Sequence, residues 1–414
     1  MTFHATLLSG LIVAGSWLHA QEPELLNDAY LSRIRAEAAR NHPAAAASLL
    51  RAQAAAADGR AIRLWDDPMA GLSLMGADRM MRRDEGDIKL MIEQPLPKPG
   101  VYQAGKDKAA AVQRAENAKS INARLELGAA AARTAIELAL ADESISLQAQ
   151  QLGWLREMTA NARARAINPE MTSAEPLRME SELVKETQLL EAAKRIRSSL
   201  ASKLNLQLGR GIGSAWPTLR LPGKALPLPI GKAEVARISR TNPMVLSLKE
   251  MTTAAKAEMR MADRERQPGF SITAGSSTYS GTGDHRSAEV GVKMSLPWFN
   301  DHSYQAKVDA AALREKAAIA DVDTLIREIE IQVIAAVTEA TNAASQADAY
   351  SGEVESKARL TTESIQSSWI SSTATLAELL ETRRLLFSIR LDQRRFIAMQ
   401  LSALEELNVL VPRK

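Results

Sequence analysis

Five histidines are the only imidazoles in the 414 residues: His4, His19, His42, His285 and His302. No two stand four apart, so the helical pair that grips zinc or copper is missing. Cysteine is absent, which removes thiolate ligands, thiol nucleophiles and disulfides together. The chain has no G-x-S-x-G, no P-loop and no H-E-x-x-H, and Gly281-Thr282-Gly283 is too short to cradle a phosphate. No enzyme, cofactor or metal centre is expected. Met69, Met75, Met80, Met81 and Met91, with Met251, Met259 and Met261 further on, could pass a soft metal between thioethers. Apolar packing or lipid contact is the reading adopted for them. Glu170 and Glu175 matter more. Repeated around a symmetry axis they would form an acidic ring that gates a pore and favours cations. As single helix-start residues they would only complement the helix dipole. Arg163 and Arg165 precede them, placed to pair with the acids and hold a closed state.

Such a ring needs long helices and an oligomer, and the rest of the chain supplies the signs of both. Lysine and arginine number 52 against 49 acids, a net charge of +3 that selects no polyanion, so no nucleic-acid partner is expected. Aromatic residues are only 4% and alanine is abundant, which favours closely packed helices. Residues 5–18 carry no formal charge and Leu18-His19-Ala20 ends on a small residue, as a secretory signal over 1–20 would. No later stretch offers the ~20 apolar residues of a transmembrane helix.

The chain repeats itself. Pro43 and Pro68 recur at Pro243 and Pro268, and Leu96-Pro97 recurs at Leu296-Pro297. Tyr102-Gln103-Ala104 recurs at Tyr304-Gln305-Ala306, and Leu204-Asn205 at Leu407-Asn408. Each half reads helix, two strands, very long helix, helix. The first repeat, 21–209, opens with a helix over 27–65 that Pro68 closes. Strands follow at 69–78 and 87–95, a long helix at 101–167 and a helix at 172–208. A linker rich in glycine and proline covers 210–231. The second repeat, 232–409, has strands at 270–279 and 288–296, a long helix at 304–369 and a helix at 373–408, before a tail at 410–414. Ile319, Val322, Ile326, Ile329, Val333, Ala336 and Ala340 step by three and four, a coiled-coil seam. His42 and Asn242 sit where a helix starts beside proline.

The strands alternate apolar and polar, the pattern of a membrane β-barrel with one face to lipid and one to a wet lumen. Four strands cannot close a barrel, and open edges in a bilayer leave backbone groups unpaired. Three copies give twelve strands. The expected fold is therefore mainly α with a small β part: a trimeric 12-stranded β-barrel joined to an α-helical barrel.

The order of elements, the duplication and several phrases resemble the TolC family of outer-membrane efflux proteins over essentially the whole mature chain. Asn41-His42-Pro43 and Asn242-Pro243 are similar to the family's repeat openings. Ile92-Glu93-Gln94-Pro95-Leu96-Pro97-Lys98-Pro99-Gly100 and Ser295-Leu296-Pro297-Trp298-Phe299 are similar to its passage from barrel to helix, which places Pro95, Pro97, Tyr102, Pro297, Trp298 and Tyr304 at that junction. Leu204-Asn205-Leu206-Gln207-Leu208-Gly209 is similar to the end of a first repeat. The resemblance implies a homotrimer in the outer membrane and its lipid, with a periplasmic helical tunnel. It also implies docking to a periplasmic adaptor and an inner-membrane pump, and passive export. The phrase at 92–100 is similar to members serving heavy-metal pumps of the resistance-nodulation-division class, with metal cations as cargo. Adaptor docking falls to the tips, Ile167, Asn168, Pro169 and Ile370, Ser371, Ser372, where many members have glycine. The alternative is a periplasmic coiled-coil adaptor without a pore, which would hold one hairpin, not two.

Overall fold

The computed structural model describes residues 23–76, 86–165, 174–226 and 241–412. The expected signal at 1–20 lies outside them, with Ile167, Asn168, Pro169 and Glu170. Asn27 starts α1 (Asp28–Asn41), its side-chain oxygen accepting from the Tyr30 amide at 2.8 Å. The helix expected to run on to 65 stops at His42, which is extended at φ −69°, ψ 131°. Pro43 forces this, because its ring excludes the helical region for the residue before it. His42 Nδ1 then accepts from the Ala44 amide at 3.1 Å and starts α2 (Pro43–Ala61). Asn242 does the same for α5 (Pro243–Glu265), accepting from Met244 N at 2.9 Å and Val245 N at 3.2 Å.

Two helical hairpins carry the length. α3 (Val101–Arg165) is one helix of 65 residues, about 100 Å at ~1.5 Å per residue, and α4 (Ala174–Gln207) returns beside it. In the second repeat, α6 (Asp301–Ala349) passes through a single π-helical turn, Tyr350–Val354, before α7 (Glu355–Ile370). The one long helix expected at 304–369 is therefore two, joined where Gly352 has nothing within 4 Å of a would-be Cβ. α8 (Leu376–Leu410) returns from the far end. The main core forms where α1, α3, α4 and α8 meet, around Leu26, Ile34, Ile136, Leu138, Leu204 and Ile397. At its edge Gly128 admits the α1 backbone, and a Cβ there would stand 3.1 Å from the Arg35 carbonyl. The α6 seam is buried from Val322 through Ile329, Val333 and Ala336 to Ala340, but Ile319 is 48% exposed and does not join it. Ile331 and Ile334 form a second stripe and are bare, at 67% and 61%.

The stretch between the repeats, expected as a linker, is packed as far as it is described. β4 (Leu219–Arg220) pairs parallel with β1 (Glu24–Leu25). Trp216, Leu219 and Leu221 enter the main core. Buried Asp142 on α3 accepts from the Leu219 amide at 2.9 Å and from Arg197. Asn205 donates to the carbonyls of Ile212 at 3.2 Å and Ser214 at 2.8 Å, and accepts from the Trp216 indole at 2.7 Å.

The four long strands form one antiparallel sheet in the order β2 (Met69–Met75), β3 (Asp87–Pro95), β5 (Phe270–Tyr279), β6 (His285–Met294). β3 and β5 match the expected bounds. β2 ends at Met75, where 77–85 fall outside the described residues, and β6 begins earlier than expected, at His285. The two hairpins join through β3 and β5, Asp87 facing Tyr279 and Pro95 facing Ser271. β2 and β6 are the sheet's edges.

Candidate channel wall and tip

Register sorts the sheet's side chains onto two unlike faces, since alternate residues of a strand point opposite ways. On one, Leu72, Leu90 and Ser276 lie in a row, as do Ala70, Ile92, Ala274 and Val290. This face is bare: Leu72, Leu74, Leu90, Ile92, Val290 and Val292 are 50–82% exposed. An uncovered apolar band of this extent is unstable against water. A ten-residue strand is about 33 Å long, and at barrel tilt it spans the ~25 Å apolar height of an outer-membrane barrel.

The other face carries every Asp, Glu, Lys and Arg of the four strands, and each is paired. Asp87 binds Arg286, Lys89 binds Glu289, and Glu93 binds Lys293. Ser271 Oγ donates to Glu93 at 2.7 Å, and Ser277 and Ser287 are bonded at 2.8 Å. Alternation announces two faces, but the sequence did not show that these charges would meet across an intervening strand. Their partners stand about 200 positions apart in the chain.

At the foot of the sheet this polar face opens on a cavity of about 800 Å³, lined among others by Glu93, Lys293, Pro95, Pro97, Tyr102 and Tyr304. Pro297 and Trp298 line a neighbouring recess instead, and Tyr304 borders both. Gly100, at φ +82°, makes the corner into α3, a backbone region that glycine enters without strain. Tyr102 and Tyr304, matched in the repeats, each lie under a lysine: Lys106 at 5.7 Å and Lys307 at 5.3 Å. Trp298 and Phe299 are 53% and 77% exposed, the amphipathic rim expected of rings at a membrane interface.

At the far end, Trp369 is fully buried among Trp154, Leu155, Met158, Met179, Leu376 and Leu379, which binds the two hairpins together. Arg165 donates to the Trp369 carbonyl at 2.7 Å and to Ser372 Oγ at 2.8 Å, and lies 4.6 Å over the Trp369 ring. Arg163 pairs with Glu180 at 2.6 Å. Neither arginine reaches Glu175, which has no ion-pair partner among the described residues. Ser372 sits at φ +65°, the left-handed turn that a glycine makes more easily. Thr375 caps α8, and Glu378 closes the capping box, its carboxyl held below the usual range by the Thr375 amide and hydroxyl. Ile370 is exposed at the tip. Among the described residues no cluster of histidine, aspartate and glutamate could hold a metal.

Residues 238–411, the second repeat, match the family model for outer membrane efflux proteins. No curated protein matches the chain by sequence. Among solved structures, the outer-membrane channel OprN superposes with a TM-score of 0.81 at 14% identity, over 93% of this chain and 90% of that one. CusC superposes at 0.79 with 16% identity, over 92% and 91%. The Campylobacter jejuni outer membrane channel CmeC superposes at 0.78 with 15% identity, over 92% and 85%. The fold is thus that of the outer-membrane channels along nearly the whole chain. The sequence of the outer membrane efflux protein family is matched in the second repeat alone, and the channel fold extends over both repeats. An adaptor without a pore is not supported, because the likeness is to channels and a bare apolar sheet face has no place in the periplasm.

Proposed function

We propose that the chain is one protomer of a trimeric outer-membrane duct that conducts solutes passively from a periplasmic adaptor and an inner-membrane pump to the exterior. The observation that carries the reading is the four-stranded sheet, with both edges unpaired, one face apolar and bare, and the other polar and ion-paired. Three such sheets joined edge to edge leave no backbone group unpaired in lipid. The bare Ile331 and Ile334 suit contact with the next protomer. At the tip, Glu175 with Glu170 would line the tunnel entrance, while Arg165 ties the first hairpin to the second, Arg163 ties α3 to α4 within the first, and Ile370, Ser371 and Ser372 face the adaptor. The pump is proposed to be of the resistance-nodulation-division class and the cargo metal cations, both on the phrase at 92–100. Fractionation and planar-bilayer recording test the duct: the protein should enter the outer membrane and give discrete conductance steps. Arg165→Ala should raise the open fraction, and an unaltered open fraction would remove the tip latch. Unchanged survival of a deletion strain on copper, silver, zinc and cadmium salts would remove the metal cargo.

A further inference from the structure

The three ion pairs of the polar sheet face join β3 to β6, yet these strands are not neighbours, because β5 lies between them. Lys89–Glu289 and Glu93–Lys293 span it where β5 presents only Ser271, Thr273, Gly275 and Ser277, while Asp87–Arg286 crosses at Tyr279, whose ring lies 5.4 Å from the Arg286 guanidinium. A Cβ at Gly275 would stand 3.1 Å from Glu289 Oε1 and 3.3 Å from the Leu90 carbonyl, so the space above that glycine is filled by the strap and the strand beside it. Gly291 is equally tight, with Thr273 Oγ1 at 3.0 Å from a Cβ there. The charged side chains therefore lie along the wall and do not project from it. They number three acids and three bases, all paired, so this part of the wall has no net charge.

Resting on the duct reading, we infer that these straps set ion selectivity in the membrane-spanning section by cancelling it: each protomer lays its wall charges flat and in balance over a small-residue strand, giving a wide section indifferent to the sign of the solute. The residues that hold the balance are Lys89 with Glu289 and Glu93 with Lys293; Asp87 and Arg286 do the same at the outer end.

Neutralising one partner leaves one uncompensated charge per protomer and three around the ring. With those charges about 10 Å from the axis and a Debye length of about 10 Å at 0.1 M salt, counter-ions are enriched and co-ions depleted about two-fold each. The permeability ratio of that section then changes about four-fold. The test is the reversal potential of the full-length protein in a planar bilayer under a potassium chloride gradient. Lys89→Gln and Lys293→Gln should raise the potassium-to-chloride ratio, and Glu289→Gln and Glu93→Gln should lower it, each two- to four-fold. The double variant Lys89→Gln/Glu289→Gln should return to the wild-type ratio, which also shows that the sheet survives without the pair. Shifts of one sign for lysine and glutamate variants alike, or no shift in any, would overturn the inference. Wild-type protein with no conductance would overturn the duct itself, so the two failures are distinguishable.

Discussion

Replacing Asn205 by alanine should release the stretch between the repeats from the helical body. The side chain makes three hydrogen bonds there: to the carbonyls of Ile212 and Ser214, and from the buried Trp216 indole at 2.7 Å. Alanine satisfies none of them. At about 1 kcal/mol per lost bond, with the indole left unpaired in the core, local opening becomes easier by about 3 kcal/mol. That is an open population about 150-fold larger. Arg210, Arg220 and Lys224 lie in the stretch and are trypsin sites. Cleavage of a transiently opened segment follows its open population when closing is fast, so the rate at these sites should rise by about that factor. Asn408, the matching residue of the second repeat, bonds instead with Glu405, and Asn408→Ala should leave cleavage of the stretch as it was. An Asn205→Ala rate within about three-fold of wild type would refute the claim that this residue clamps the segment.

Three further outcomes follow from the same core. Gly128→Ala places a methyl group against the Arg35 backbone at 3.1–3.3 Å. It should cost about 1–3 kcal/mol and lower the thermal midpoint in detergent. An unchanged midpoint would mean that α1 shifts away at no cost. Arg210 donates to Glu37 at 2.6 and 2.7 Å and holds its carboxyl below the ordinary 4.5. A lowered folded value stabilises above pH 4.5 and is lost as pH falls through it, so hydrogen exchange around Arg210, corrected for its intrinsic rate, should increase on acidification below that value. Glu37→Gln should abolish that pH dependence, and its persistence would assign it elsewhere. Burial, with Glu24 nearby, pushes the Tyr30 phenol up from 10.0 to about 12. Unfolded protein ionises first, so this group withdraws stability as pH rises from 10 towards 12. Ultraviolet titration should show a last phenolate step near 12 that Tyr30→Phe removes; a step that survives in the variant belongs to another tyrosine.

The repeat made much of the fold legible. Proline offsets and period-two stretches placed the hairpins, and β3 and β5 fall on their expected residues because alternation is a local signal. The break at His42 was legible too, since Pro43 keeps the residue before it out of the helical region, but alanine-rich sequence on both sides reads as continuous helix. The π turn left no mark beyond Gly352, because one inserted residue does not disturb composition. The stretch after residue 208 reads as a linker from its glycines and prolines; its order comes from Asn205 and Asp142, polar residues whose partners lie far along the chain. The same limit hid the β3–β6 straps. At the tip the arginines are legible as charges, but Arg165 binds a carbonyl and a hydroxyl, contacts that no charge pattern signals.

The most direct test of the trimeric duct is planar-bilayer conductance of the detergent-purified protein, with its mass by native mass spectrometry on the same preparation. A trimer that inserts and gives discrete steps is the predicted result. A monomer that never inserts would contradict the account, leaving the apolar face of the sheet without an occupant.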